Sequence, residues 1–100
     1  MVMLFMNPQV RNFLLSKGYV YTFRLKRHNW GKDWATDKRG GRKICDIFVE
    51  NEWRVSHVRD LLPFVHASGF NSVEEWVEAI KQFNPKLKFL EGFVYLVCKC

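Results

Sequence analysis

Apolar residues recur along this chain at two spacings. Between residues 19 and 27 they alternate: Tyr19, Tyr21, Phe23 and Leu25 fall on one side, Val20, Thr22, Arg24 and Lys26 on the other. A period of two is that of a β-strand, here half-buried and presenting a partly basic face. Residues 93–99 alternate in the same way, with Phe93, Tyr95, Val97 and Lys99 set against Val94, Leu96 and Cys98. Val73, Trp76, Val77 and Ile80 recur at three and four instead, the apolar stripe of a helix over residues 72–83. Ser72 and Glu75 have the spacing of a capping box, and Asn84-Pro85 ends that helix. An earlier helix starts at Asn7-Pro8, with Asn as N-cap and Pro at the first helical position. Val10, Phe13 and Leu14 share its apolar face, and Gly18 stops it. The apolar opening, residues 1–6, has no basic segment before it and no small-residue cleavage site. It reads as a buried strand rather than a signal peptide.

Three segments remain. Residues 44–50 and 52–58 read as two strands joined by a tight turn around Asn51. Residues 59–66 contain Pro63 and read as a short helix or helical turn. Residues 28–42 hold Gly31, Gly40 and Gly41 among Trp, Asp, Lys and Arg, the composition of a loop. The order β-α-β-loop-β-β-α-α-β is neither a βαβ repeat nor a sandwich. It predicts an α+β domain: a mostly antiparallel sheet closing into a small barrel, with two or three flanking helices. A chain of 100 residues makes this one domain.

Composition narrows the function classes. Apolar residues are 48% and aromatics 16%, which excludes disorder. No apolar run approaches the ~20 residues of a membrane span, so no membrane partner is expected and a cytoplasmic location is. The formal charge is +6, and it is concentrated. From Arg11 to Lys43 ten basic residues face only Asp33 and Asp37, a balance of +8 against −2 for the rest. Such an asymmetry points to a polyanionic partner, RNA or single-stranded nucleic acid. Three cysteines make a poor disulfide framework. Cys45 and Cys98 read as small core residues, a Cys45–Cys98 or Cys45–Cys100 bridge staying open. His28, His57 and His66 supply no local pair of ligands, so neither metal nor other cofactor is expected.

The candidate chemistry lies mostly in the glycine-containing loop. Trp30 and Trp34 sit there among Arg27, Lys32, Lys38, Arg39, Arg42 and Lys43. Exposed indoles stack bases, and guanidinium groups hold phosphates bidentately. The alternative is that both tryptophans fold back as core, as Trp53 and Trp76 are expected to do. Thr22 and Arg24 share a strand face with Lys26, where Arg24 could hold a phosphate or close an ion pair with Asp46. Ser56 and His57 are adjacent in a predicted strand and point to opposite faces, so they do not form a nucleophile–base pair. Gly40-Gly41 alone is not a phosphate-cradling loop.

Three stretches resemble the ASCH branch of the PUA-like β-barrels. They are the helix end Leu14-Leu15-Ser16-Lys17-Gly18 with the strand Tyr19-Val20-Tyr21-Thr22-Phe23-Arg24; Ala67-Ser68-Gly69-Phe70-Asn71-Ser72-Val73-Glu74-Glu75-Trp76, similar to the family's Gly-Phe-x-Ser-x-Glu-Glu; and the closing Val94-Tyr95-Leu96-Val97. The resemblance implies a cleft between barrel and helices that takes a base or modified nucleoside near Thr22, Arg24 and Ser68, beside Lys17. Some members hydrolyse the acyl group of acetylated cytidine with a Lys, a Thr and a Glu. Here the Thr corresponds to Thr22. The Lys falls at Tyr19, with Lys17 two positions away, and the Glu near Ser68, which cannot act as a carboxylate base. The expectation is therefore an RNA- or nucleoside-binding module, with a small hydrolase or a protein-interaction subunit as alternatives.

Overall fold

The computed structural model describes residues 2–100; Met1, at the head of the predicted N-terminal strand, lies outside the described residues. The elements are β1 (Val2–Leu4), α1 (Pro8–Lys17), β2 (Tyr19–Arg24), β3 (Gly31–Thr36), β4 (Cys45–Val55), a 3-10 helix (Val58–Ala67), α2 (Val73–Phe83) and β5 (Gly92–Lys99). The strands form one sheet in the order β1-β3-β4-β5-β2, curled into a half-barrel. The α+β class is as expected. The sheet is mixed, because the chain crosses through α1 to the far edge at β2 and returns beside β1 only at β3. β1 is therefore parallel to β3, while the other neighbouring pairs are antiparallel. No helix among the described residues is long and apolar enough to cross a membrane.

The helices begin and end where their caps dictate. The Asn7 side chain accepts the Gln9 N–H at 2.8 Å, a cap worth about 1 kcal/mol over Ala. Gly18 takes φ 87° and donates its N–H to Leu14 O, which ends α1. Ser72 caps α2 by accepting the Glu75 N–H at 3.1 Å. The Glu75 carboxylate instead accepts from the Gln9 side chain at 2.8 Å, so half of the expected capping box ties α2 to α1. Residues 59–66, read as a short helix, lie within the 3-10 helix. His57 is its N-cap, and Asp60 bonds back to the His57 N–H.

Two predicted elements are corrected. The segment 28–42 is not a single loop, since its middle is β3, paired with both β1 and β4. Residues 44–58 do not hold two strands around a turn. They hold one long strand, β4, with a bulge between Val49 and Asn51. The Asn51 side chain accepts the Glu52 N–H at 2.8 Å, the local signature that reads as a turn. A bulge shifts the alternation by one residue. Val49 pairs with Val97 and Glu52 with Tyr95, so both face the inside of the half-barrel.

The core fills both faces of the sheet. On the concave face Val20, Ile47, Val49 and Val97 are all fully buried, with Leu14 and Met3 beside them. On the other face Tyr21, Trp53 and Phe64 meet edge-on or tilted, their centroids 4.9–5.7 Å apart. The alternation predicted for β2 holds, but its basic side is not a surface. Val20 and Thr22 are buried in the interior, and Arg24, half-buried, follows them onto the same inward face. Gly92 makes the closing contact possible: a Cβ there would lie 2.5 Å from the Arg24 carbonyl oxygen and 2.7 Å from the Phe23 ring.

Candidate functional site

A cleft of about 380 Å³ lies between the β1–α1 junction, the end of β2 and α2. Its wall is mostly apolar, built from Phe5, Val10, Phe23, Phe70, Ile80 and Phe83 among others. Among the described residues its charged members are Arg24 and Arg39, and no Lys, His, Asp or Glu lines it. Asn7 and Asn84, the caps of α1 and α2, stand at its rim. The Asn84 side chain donates to the Ile80 carbonyl at 2.8 Å, quieting the negative end of α2.

Arg24 is the unusual member. Its guanidinium lies 4.9 Å from the centroid of Phe5 in a cation–π contact. Its Nε is buried without a hydrogen-bond partner. Burial lowers its pKa to about 10, an effect that the nearby Tyr95 partly opposes. It therefore stays cationic at neutral pH. The ion pair with Asp46 is not made, because Asp46 is exposed and holds Lys43 at 2.9 Å instead. A half-buried cation without an acidic partner forfeits part of its hydration. Thr22, two residues earlier on the same face, is 5% exposed and lines the same cleft.

A second polar cluster sits behind the first. Tyr95 is fully buried and donates its hydroxyl to Glu52 Oε1 at 2.7 Å, while accepting the His28 N–H at 2.7 Å. Burial first, and then the Glu52 carboxylate, push the Tyr95 hydroxyl up to about 12; the His28 N–H pulls the other way. Glu52 also accepts from the Trp30 indole at 3.4 Å and pairs with Arg27 at 3.4 Å. His28 Nε2 lies 3.2 Å from Asp33 Oδ2, both side chains nearly buried. The ring nitrogen is not aimed for a hydrogen bond, so this contact is ionic and counts only when the ring is protonated. Together these contacts fasten the β2–β3 connection onto the half-barrel.

That fastening places Trp30. It is 57% exposed with its indole N–H held at Glu52, so a face of the ring is open to solvent. Arg27, Lys26 and Lys32 are exposed around it. Trp34 is half-buried in β3 opposite Asp46 and is not a second platform. The remaining basic residues of the predicted loop fall at the other end of β3. Six residues of strand separate the two ends by about 20 Å. There Lys38, Arg39, Arg42 and Lys43 are exposed on the β3–β4 connection. Buried Thr36 shapes this connection by donating its hydroxyl to the Arg42 carbonyl at 2.9 Å, and Gly40 supplies the positive φ of 69°. Of this group only Arg39 reaches the cleft.

Several predicted site residues lie elsewhere. Ser68 is fully buried; its hydroxyl donates to Val65 O and accepts the Phe70 N–H, which leaves nothing for a ligand. Lys17 is exposed at the end of α1 and does not line the cleft with Thr22. Cys45, Cys98 and Cys100 are free thiols. Among the described residues no three or more of His, Cys, Asp and Glu gather as a metal site. The apolar wall from Phe70, Ile80 and Phe83, and the Glu52–Tyr95 pair, were not foreseen. The lone signal for the pair was the inward alternation of Tyr95.

No protein-family model matches the chain, and neither curated proteins nor solved structures gave a match.

Proposed function

We propose that this protein is an RNA-binding module of the PUA-like kind, related to ASCH domains, whose contact surface is the basic face running from the β2–β3 connection to the β3–β4 connection. The observation that carries this reading is Trp30. A large aromatic side chain is held by its edge, 57% exposed, among Lys26, Arg27 and Lys32. A stacked base would gain ~1–3 kcal/mol on such a platform. The cations at the far end of β3 would take backbone phosphates and make the affinity fall with salt. Single-stranded RNA suits this better than a duplex, because a platform of this kind needs an unstacked base.

A hydrolase is not favoured. The cleft holds Thr22 but no lysine, histidine or carboxylate to activate it. The test is intrinsic Trp fluorescence titrated with a short single-stranded RNA at low and high salt. The reading expects quenching at low salt that weakens as salt rises, and loss of most of it in Trp30→Ala. Absence of quenching at low salt rules it out, and binding indifferent to salt points to a protein partner instead.

A further inference from the structure

The strongest unexplained feature is the Arg24 cation at the end of an apolar cleft. Its neighbours do not neutralise it: the other charged residue in the wall is also an arginine, and no carboxylate lines the cavity. A second observation points the same way. The first turn of α1 contains no acidic residue, and its cap, Asn7, stands on the cleft rim. The acid against that turn, Glu75, is held by the Gln9 side chain and does not line the cavity. α2 differs, carrying Glu74 and Glu75 in its first turn.

We infer that this cleft binds a small organic anion, a monocarboxylate on an aromatic or branched aliphatic body, with Arg24 as its counter-ion. Charge and shape decide the class. A planar carboxylate matches a guanidinium bidentately, and one negative charge balances the one cation held inside. A phosphate monoester would bring a second charge, for which the cleft has only Arg39 on the exposed connection. A free nucleobase would bring several polar edges, most of them facing the phenyl and aliphatic groups of Phe5, Val10, Ile80 and Phe83. Thr22 lies beside Arg24 on the same strand face, where its hydroxyl can donate to a carboxylate oxygen. The cavity volume of about 380 Å³ is that of a small-molecule site. This inference stands apart from the RNA reading, since the RNA platform is built on Trp30 and Glu52, and either can fail alone.

The experiment follows the melting temperature of the full chain, then calorimetric titration, with 1-naphthoate, its neutral isostere 1-naphthamide, 1-naphthyl phosphate and inorganic phosphate. Naphthoate is expected to raise the melting temperature and bind with a Kd on the order of 1 mM or tighter. Removing the charge in the amide should weaken binding about tenfold or more. Inorganic phosphate should give no shift, and naphthyl phosphate no more than naphthoate. Phe83→Ala, at a half-exposed position on the last turn of α2, should weaken naphthoate without unfolding the protein. Arg24→Gln should lose the preference for acid over amide. The inference is overturned if naphthoate fails to bind, if the amide binds equally well, or if a phosphate binds better. Because acid and amide are compared on the unaltered protein, the outcome holds even if an Arg24 variant does not fold.

Discussion

The half-barrel buries two polar clusters close to each other, and they are built on opposite principles. Around Glu52 the groups are matched. The carboxylate takes the Tyr95 hydroxyl, the Trp30 indole and the Arg27 guanidinium, and the tyrosine oxygen takes a backbone N–H in turn. Around Arg24 they are not: a cation rests against Phe5 with its Nε unpaired and no acid on the cavity wall. The first arrangement satisfies itself and so serves architecture, fixing a loop. The second is complete only with something added. Both use charge, yet only the unbalanced one has a reason to bind a small anion. Buried polar groups that lack partners are costly, and where a fold keeps one, the missing partner is the first thing to look for.

The contrast can be broken most forcefully at Glu52. Glu52→Ala leaves the Tyr95 hydroxyl without an acceptor and Arg27 without its acid, and should cost about 2–4 kcal/mol in chemical denaturation. A loss under about 1 kcal/mol would mean that the cluster is not structural.

The next effect is expected in alkali, where the two clusters pull oppositely. Tyr95 is raised in the fold from 10.0 to about 12, so its contribution is complete below pH 10 and disappears as pH rises toward 12. Arg24 is lowered in the fold to about 10, so the folded state sheds its proton before the unfolded chain does and gains stability as pH rises above 10. Denaturation measured across this range should show Tyr95→Phe gaining stability relative to the parent as pH rises, and Arg24→Met losing it. Parallel curves for the parent and either variant would contradict the assignment for that residue.

At neutral pH, Arg24→Met should be harmless or raise stability by about 1 kcal/mol, because an uncompensated buried charge is replaced by a thioether of similar length. A drop of several kcal/mol there would reveal a partner for Arg24 and erase the difference between the clusters. Smallest of all is Trp30→Ala. Its side chain is exposed, so unfolding free energy should move by no more than about 0.5 kcal/mol while RNA quenching disappears. A larger stability loss would return Trp30 to the architecture.

How far all this was legible depends on whether the deciding contact is local. The caps at Asn7, Gly18 and Ser72 act within a few residues, and each element they bound lies where the sequence puts it. β3 was missed because Lys32 and Asp33 break the apolar pattern. Asp33 is nonetheless half-buried in the chain, accepting the Trp34 N–H and lying 3.2 Å from His28 Nε2, and that placement is a tertiary fact. β4 was cut in two because an Asn side chain bonding the following N–H looks the same in a turn and in a bulge. For the site, the shared face of Thr22 and Arg24 was readable from alternation alone. Its inward sense was not, since aromatic residues occupy the other face and that face packs against the 3-10 helix. Ser68 looked available because the sequence does not show its two hydrogen bonds. Trp30 and Trp34 carry the same local composition, and only pairing with β1 and β4 separates them.

The bulge in β4 has a reach beyond its own strand. An alternating strand behaves like a wave of period two, and one additional residue delays it by half a cycle. Before the bulge Ile47 and Val49 point into the half-barrel; after it Trp53 and Val55 point the other way, toward the 3-10 helix, and Glu52 turns inward. A single strand is thereby shared between two cores that need opposite parity. It follows that the position of the exposed indole is controlled by counting rather than by chemistry. Flatten the bulge without removing a residue, so that Glu50 stands opposite Leu96 and Asn51 opposite Tyr95, and Glu52 would turn to the face of Trp53, releasing Tyr95, Arg27 and the indole together.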